Sequence, residues 1–284
     1  MPTPHPPSHP LSHPPSHPPS HPPSHSPTAF AGTAQDYLRY RPPYPEAFLA
    51  ELRAHAHTTG TGTLLDLACG PGRVAIPMAP HFRNVLGVDV EAEMIATATD
   101  EATRIGIANI AWRVARAEDL QLPSNSIELI TIGEAFHRLD QAQVLKCAVE
   151  WLQPRGALVT LGAEPVWRGA ETWKRVLVEV VNKWTGNVLG DPNEGRWDGD
   201  ADVLRAAGLL VQEQETVLER TWTCDAIVGF MHSTSIASRR VLADKASTFA
   251  AELREALLAC EPANRFVCTQ RFSFTLGRKV DGNG

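Results

Sequence analysis

The chain has 284 residues, of which 43% are hydrophobic and 20% charged, and its formal net charge is -6. This composition is typical of a soluble globular protein, and the length allows one large domain or two small ones. The acidic balance, without a concentrated run of Lys and Arg, argues against nucleic acid as the main partner. No run of about 18 apolar residues is present, so we predict no transmembrane helix.

The five cysteines are scattered along the chain, and none forms a C-x-x-C pair. This pattern predicts reduced thiols rather than a disulfide framework or a zinc site. The N-terminus lacks the positive and apolar regions of a secretory signal, and the first arginine is Arg39. We therefore expect a cytoplasmic protein.

Residues 1–28 form a tail with the repeat "HPPS", which holds six of the eleven histidines and twelve of the 23 prolines. The tail has almost no apolar side chains to bury, so it cannot offset the entropy lost on ordering, and we predict disorder. A metal-binding histidine tract is the alternative, but a single metal site needs a fixed geometry that this repeat does not supply.

Strand and helix signals alternate after the tail. Predicted strands occupy 63–68, 84–90, 110–114, 127–132 and 157–161. Predicted helices run from Pro45 to about His57, from about Arg73, around Met94 to Ala98, and from the cap Asp140 to the breakers Pro154 and Gly156. This β-α-β order predicts an α/β fold, with a parallel, doubly wound sheet covered by helices on both faces.

The C-terminal third departs from this alternation. A helix is predicted from the apolar positions Trp173, Val176, Leu177, Val180, Val181 and Trp184. Strands at 209–219 and 266–276 would complete a seven-stranded sheet, and a helical pair is predicted between them, with its clearest apolar stripe at Ala246, Phe249, Ala250, Leu253 and Leu257. We therefore predict one domain over 29–284, with insertions at about 165–200 and 222–262 forming a helical lid.

The stretch "LLDLACGPGRVA" at 64–75 contains the pattern G-x-G-x-x-G/A in Gly70, Gly72 and Ala75. This pattern predicts a strand-to-helix turn that brings the backbone close to a nucleotide. Asp66 ends the preceding strand, where a carboxylate would repel a pyrophosphate but would attract a cationic ligand. S-adenosylmethionine has no phosphate and carries an ammonium and a sulfonium, so Asp66 favours it over a dinucleotide.

Asp89 ends the second predicted strand, 19 residues after Gly70. An acidic side chain in this place accepts hydrogen bonds from both ribose hydroxyls of a bound nucleoside. That role is common to NAD and S-adenosylmethionine, so Asp89 indicates a nucleoside without choosing between them. The alternative is a surface turn aspartate.

Four segments, "LLDLACGPGRVA", "VLGVDVEAEMI", "ARAEDLQLPSNSIELITIGEAFHRLD" and "LQPRGALVTL", resemble in order and spacing the class I S-adenosylmethionine-dependent methyltransferases. The resemblance is closest to the small-molecule branch that includes the trans-aconitate and ubiquinone/menaquinone methyltransferases. It covers residues 35–162 well and the remainder loosely. It implies a Rossmann-like seven-stranded methyltransferase sheet and S-adenosylmethionine as the cofactor.

The resemblance also implies the residues that bind the cofactor. Its methionine end would lie against Asp66, Ala68, Gly70 and Gly72, where Ala68 departs from the family's commoner glycine. Asp89 would bind the ribose. The adenine would be held by Val90, Met94, Glu118 and Asp119. The alternative for Glu118 and Asp119 is that they cap the start of a helix.

The segment "GEAFHRLD" at 133–140 follows the fourth strand and so faces the crevice where open α/β sheets bind ligands. The resemblance implies that Glu134 and Ala135 touch the cofactor. His137 is a candidate general base, because the ordinary pKa of histidine is about 6.5. The alternative is that its ring only packs and forms hydrogen bonds under the lid.

The segment "AQDYLRYRPPYP" at 34–45 resembles the part of this family that folds over the bound cofactor. Tyr37, Tyr40 and Arg41 would close the site, with Arg41 pairing with the cofactor's carboxylate. The alternative is a rigid lead-in to the first long helix.

The sequence thus predicts in-line transfer of the methyl group to a small-molecule acceptor, for which alignment and desolvation matter most and no metal is needed. An acceptor that is partly apolar or planar is suggested by the lid residues Trp167, Trp173, Trp184, Trp197, Trp222, Met231 and His232, although we expect Trp173 and Trp184 to be helix core. One alternative is a fold relative that binds S-adenosylmethionine without methyl transfer. Another is an NAD-dependent dehydrogenase, which Asp66 disfavours.

Overall fold

The computed structural model describes residues 28–186, 188–190 and 200–280. All of the predicted tail except Thr28 lies outside the described residues, and so does Trp197.

A single sheet of seven strands organises the part of the chain that the structure describes. Its strands are β1 (Thr63–Leu67), β2 (Asn84–Asp89), β3 (Ile110–Val114), β4 (Ile127–Gly133), β5 (Leu152–Ala163), β6 (Leu210–Trp222) and β7 (Phe266–Arg278). Their order is β3-β2-β1-β4-β5-β7-β6, with β1 to β5 parallel and β7 antiparallel to both β5 and β6. The predicted α/β class and seven-stranded sheet are confirmed.

Helices cover both faces of the sheet because alternate residues of its inner strands are apolar on opposite sides. Leu64 packs on the face covered by Phe48 and Leu52, whereas Leu65 packs on the face covered by Val144. The helices of the described chain are α1 (Ala34–Tyr40), α2 (Glu46–Ala56), α3 (Ala75–Met78), α4 (Ala92–Arg104), α5 (Gln141–Trp151), α6 (Thr172–Thr185), α7 (Ala201–Ala206), α8 (Cys224–His232), α9 (Arg239–Leu242) and α10 (Ala246–Cys260).

Helices α6, α8, α9 and α10 form a helical layer with a hydrophobic core of its own. The predicted stripe of α10 is buried in full, from Ala246 to Leu257. Trp173 and Leu177 of α6 pack in the same core as Phe249 of α10. Helix α7 belongs elsewhere, because its Leu204 packs with the helices on the sheet.

Three predictions about the helices are wrong. Helix α5 ends at Trp151, and Pro154 and Gly156 lie within β5, because Leu152 already pairs with Ile127 before a register shift in the strand. The helix predicted from about Arg73 is only the single turn Ala75–Met78, continued by a 3-10 turn. Between β6 and β7 there are three helices rather than a pair.

The helical layer contacts the N-terminal segment through Gly229 of α8. A Cβ atom at Gly229 would lie 2.2 Å from Cγ of the Tyr40 ring in α1. We expect Gly229→Ala to lower the free energy of unfolding by about 1–3 kcal/mol, because ring and helix must separate. Gly190→Ala adds a methyl group in open space and is the control. Urea unfolding of both variants tests this, and equal midpoints would contradict it.

Among the described residues, no helix is both long and apolar enough to cross a membrane. The five cysteines are free thiols.

Candidate functional site

The sheet changes its winding direction at β1, which lies between β2 and β4. In open α/β sheets, ligands bind at such a switch point, outside the carboxyl ends of the strands. A cavity of about 480 Å³ lies there, lined by residues at the ends of β1, β2, β3 and β4. The predicted cofactor residues that line it are Tyr37, Arg41, Ala68, Gly70, Asp89, Val90, Met94, Glu118, Glu134 and Ala135.

The turn after β1 has a left-handed backbone at several positions. Gly70 has φ +53°, and a Cβ atom there would meet nothing within 4 Å, which leaves the backbone open to the cavity. Gly72, at φ +85°, does not line the cavity: a Cβ atom would lie 2.7 Å from Cδ1 of Ile76. Ala68 has φ +52°, which explains in physical terms why glycine is commoner there.

Asp89 lines the cavity, and both of its carboxylate oxygens accept hydrogen bonds from backbone amides. Oδ2 accepts from the Gly70 amide at 2.8 Å, and Oδ1 accepts from the Glu91 amide at 2.9 Å. These bonds join the glycine turn to the end of β2. Burial raises the pKa of Asp89, and the amide donors oppose that shift.

Asp66 does not line the main cavity, although it was predicted to contact the cofactor. Its side chain is buried, with Oδ2 accepting from the Ala75 amide at 3.0 Å and Oδ1 from the Thr131 hydroxyl at 2.7 Å. Burial raises its pKa to about 7. The carboxyl group therefore links β1, β4 and the start of α3 beneath the site.

The predicted adenine contacts divide into two groups. Val90, Met94 and Glu118 line the cavity, and Glu118 also accepts from the Asp140 amide at 3.0 Å. The side chain of Asp119 is 70% exposed, lies 3.8 Å from Arg116 and does not line the cavity. Asp119 thus faces solvent rather than the site.

At the other end of the cavity, the Glu134 carboxylate lies between two guanidinium groups. Arg41 Nη1 is 2.8 Å from Glu134 Oε2, and Arg73 Nη1 is 3.7 Å from Glu134 Oε1. Arg73 also donates to the carbonyl of Pro42. Of Asp66 and Glu134, both predicted to contact the cofactor, Glu134 lines the main cavity and Asp66 does not.

Arg41 connects the site to the helical layer. Its guanidinium lies 4.1 Å from the centre of the Tyr37 ring, and its Nε donates to Ser233 Oγ at 3.1 Å, just after α8. Tyr40, predicted to close the site with them, packs instead against α8.

His137, the predicted general base, is exposed on the 3-10 turn Phe136–Arg138 and does not line the cavity. In this tight turn the neighbouring Arg138 points into the cavity instead, toward Phe30 and Asp89.

We expect His137→Gln to change the methyl-transfer rate constant by less than about threefold, whereas loss of a general base costs about 10²–10⁴-fold. Single-turnover kinetics across pH 6–9 would measure this. A loss of 100-fold, with the pH profile flattened near the pKa of histidine, would restore the predicted role.

Phe30 and Arg138 are among the cavity residues that sequence reasoning missed. Phe30 and Arg138 both line the cavity, with the Arg138 guanidinium 4.7 Å from the centre of the Phe30 ring. Phe30 stands next to the low-complexity tail and carries no motif. Arg138 lies within "GEAFHRLD", one residue after His137, the predicted general base.

The tryptophans predicted for the acceptor site belong mainly to the core of the helical layer. Trp173, Trp222, Met231 and His232 are buried, and the first three pack in that core. Trp184 is partly buried and donates to Glu252 at 3.0 Å. Trp167 is partly buried, with its ring centre 6.2 Å from that of Phe230.

Comparison with known proteins finds a family match in the part of the chain that holds the glycine turn. Residues 64–156, from β1 into β5, match the family described as a methyltransferase domain. Over these residues the chain is similar to a methyltransferase domain. The match spans the glycine turn, Asp89 and the segment after β4, which form a large part of the cavity wall.

Two curated relatives share this domain. Demethylmenaquinone methyltransferase of Lactiplantibacillus plantarum is 31% identical over 128 residues, which are 40% of this chain and 54% of that protein. The uncharacterized methyltransferase YcgJ of Bacillus subtilis is 30% identical over 80 residues, which are 28% of this chain and 32% of YcgJ. The chain spans about half or less of the length of these relatives.

Solved structures extend the similarity in fold beyond the matched domain. A protein of Anaeromyxobacter dehalogenans proposed to be a type II methyltransferase has a TM-score of 0.62 at 22% identity, covering 85% of this chain and 99% of its own. Crystalline YcgJ has a TM-score of 0.51 at 16% identity, covering 84% of this chain and all of its own. At these identities the likeness concerns the fold, and the methyltransferase domain has the Rossmann-like sheet expected of it.

Proposed function

We propose that the protein transfers the methyl group of S-adenosylmethionine to a small-molecule acceptor. The observation that carries this proposal is the 480 Å³ cavity at the carboxyl ends of β1, β2 and β4, within a matched methyltransferase domain. Its volume lies in the range of small-molecule sites, roughly 300–1,000 Å³.

The cavity residues fit the chemistry of this cofactor. Asp89 offers a carboxylate to the ribose hydroxyls, and Val90 and Met94 offer apolar contacts to the adenine. At the opposite end, Glu134 suits the ammonium group and Arg41 suits the carboxylate of the amino-acid portion. The open backbone at Gly70 lets the ligand approach the chain closely.

S-adenosylmethionine supplies a methyl group that its sulfonium already activates, so the protein's main contribution is alignment and exclusion of water. Tyr37 and Arg41 of the N-terminal segment form one wall of the cavity, and Arg41 is bonded to Ser233 beyond α8. We propose that the helical layer acts as a lid, because the hydrogen bond between Arg41 and Ser233 couples the position of Arg41 to the position of that layer.

The cytoplasmic location of the protein remains a prediction.

Calorimetric titration with S-adenosylhomocysteine, and separately with NADH, tests the cofactor. We expect S-adenosylhomocysteine alone to bind. Binding of NADH alone would overturn the proposal in favour of a dehydrogenase. Binding of S-adenosylhomocysteine without methyl transfer to any member of an acceptor library would favour the alternative of a fold relative that binds the cofactor but does not methylate.

A further inference from the structure

We infer that Arg138 binds the ribose of the cofactor, with its guanidinium donating to the same hydroxyl oxygens whose hydrogens Asp89 accepts. Phe30 holds that guanidinium in place. The inference rests on the proposed function and adds to it a cofactor-binding residue that the sequence motifs do not assign. Three features of the cavity support it: the turn that carries Arg138, the anchored ring of Phe30, and the groups around the guanidinium.

The backbone after β4 directs the Arg138 side chain into the cavity. Arg138 ends the 3-10 turn Phe136–Arg138, and its amide donates to the Ala135 carbonyl at 2.8 Å. The chain is also fixed after the turn, because the Asp140 amide donates to Glu118 at 3.0 Å. Arg138 is half-buried and lines the cavity. A guanidinium thus enters the cavity from a turn that is held at both ends.

Phe30 is anchored at the start of the N-terminal segment. Thr33 is fully buried, and its amide and hydroxyl both donate to the Phe30 carbonyl, at 3.0 and 2.7 Å. The Arg138 guanidinium lies over the Phe30 ring, 4.7 Å from its centre. Such a contact is a cation–π interaction and uses none of the N–H donors. Phe30 therefore restricts the guanidinium and leaves its hydrogen-bond donors available.

The Arg138 guanidinium lies between the N-terminal segment and Asp89. Burial lowers the pKa of Arg138, Tyr37 and Asp89 oppose that shift, and Arg41 adds to it. Burial raises the pKa of Asp89, and Arg138 is among the groups that oppose this. Within the part of the chain that the structure describes, the guanidinium donates to no protein acceptor. Its donors are therefore free to bind a ligand that reaches Asp89.

Arg41 also lies near the Phe30 ring, 5.9 Å from its centre, but Arg41 is engaged elsewhere. Its Nη1 pairs with Glu134 at 2.8 Å, and its Nε donates to Ser233 at 3.1 Å. These contacts place Arg41 at the cavity end that suits the amino-acid portion of the cofactor. Arg138 faces Asp89 instead, so the two guanidinium groups serve different parts of the ligand.

The chemistry of the two facing side chains suits a vicinal diol. Each ribose hydroxyl has one hydrogen to donate and two lone pairs that accept. The ionised Asp89 carboxylate only accepts, and the Arg138 guanidinium only donates, with five N–H groups in a fixed plane. A hydroxyl that donates to Asp89 still has lone pairs to satisfy, and Arg138 is a cation within electrostatic reach of that carboxylate. Together the two side chains satisfy the diol better than either does alone.

The test uses S-adenosylhomocysteine, adenosine and 2′,3′-dideoxyadenosine in isothermal titration calorimetry, with the two nucleosides measured by displacement of S-adenosylhomocysteine. Arg138→Met keeps an unbranched chain against Phe30 and removes the donors. We expect it to raise the Kd for S-adenosylhomocysteine and for adenosine by about 10- to 30-fold, because a charged hydrogen bond is lost. The Kd for dideoxyadenosine should stay within about twofold. Arg138→Lys should restore part of the loss, since an ammonium still donates.

Three further variants separate this role from others. Arg41→Met should weaken S-adenosylhomocysteine and leave adenosine within about threefold, because adenosine lacks the amino-acid portion. Arg113 is exposed on β3 and does not line the cavity, so Arg113→Met should leave every Kd within about twofold. Phe30→Leu should raise the Kd for adenosine by about two- to fivefold in the wild type. It should have no further effect in the Arg138→Met background, because Phe30 acts through Arg138.

Two patterns of loss in Arg138→Met would assign the residue to another part of the ligand. Loss for S-adenosylhomocysteine alone would place Arg138 at the amino-acid portion, and equal loss for adenosine and dideoxyadenosine would place it at the adenine. Either pattern, or an unchanged Kd for all three ligands, would overturn the ribose assignment and leave the proposed function intact. Failure of S-adenosylhomocysteine to bind the wild type would overturn the proposed function, and the ribose assignment with it.

Discussion

Asp89→Ala is expected to raise the Kd for S-adenosylhomocysteine by at least about 100-fold. Two ribose hydroxyls would lose a charged acceptor, and hydrogen bonds to charged groups contribute about 1.5–3 kcal/mol each. The same carboxylate accepts from the amides of Gly70 and Glu91, so its removal also frees the glycine turn. Isothermal titration calorimetry at one pH and salt concentration measures the change.

Asp119→Asn is the matched control for this experiment. Asp119 belongs to the same sequence-predicted set, but its side chain is 70% exposed and does not line the cavity. Its substitution should leave the Kd within about twofold. If the two variants lost affinity equally, the assignment of Asp89 to the ribose would fail, and a general effect of charge would be the better explanation.

The sheet was predictable from the sequence because its strands carry strong local signals. The apolar runs at β1, β2 and β4 are buried on both faces, and their ends agree with the prediction to within a residue or two. The start of β5 was missed because Pro154 and Gly156 normally end an element, whereas here they sit in an irregular stretch of the strand.

The cavity residues at the strand ends were predictable for the same local reason, but the contacts between the side chains around them were not. Arg41 and Glu134 are 93 residues apart, and nothing in either segment indicates that they pair. The orientation of adjacent residues in a 3-10 turn also escapes pattern reading. In this turn Arg138 lines the cavity, whereas His137, one position earlier, is exposed.

Asp66 is expected to make the stability of the protein fall between about pH 4 and pH 7. Burial raises its pKa from 3.8 to about 7 in the folded state. In that window the folded protein holds a proton that the unfolded chain has released, so the free energy of unfolding decreases as the pH rises. Each unit of pH contributes at most about 1.4 kcal/mol.

Asp66→Asn isolates this contribution because asparagine does not titrate. The variant loses one acceptor for the Ala75 amide or the Thr131 hydroxyl, so it should be less stable than the wild type near pH 4.5. By pH 7.5 the wild type should have lost about 3 kcal/mol relative to the variant. Urea unfolding of both proteins at several pH values gives this difference directly. If the free energy of unfolding of the wild type minus that of the variant were constant with pH, Asp66 would have the same pKa in the folded and unfolded states. If the wild type became more stable relative to the variant as the pH rises, the hydrogen bonds from Ala75 and Thr131 would outweigh burial and hold the carboxylate ionised.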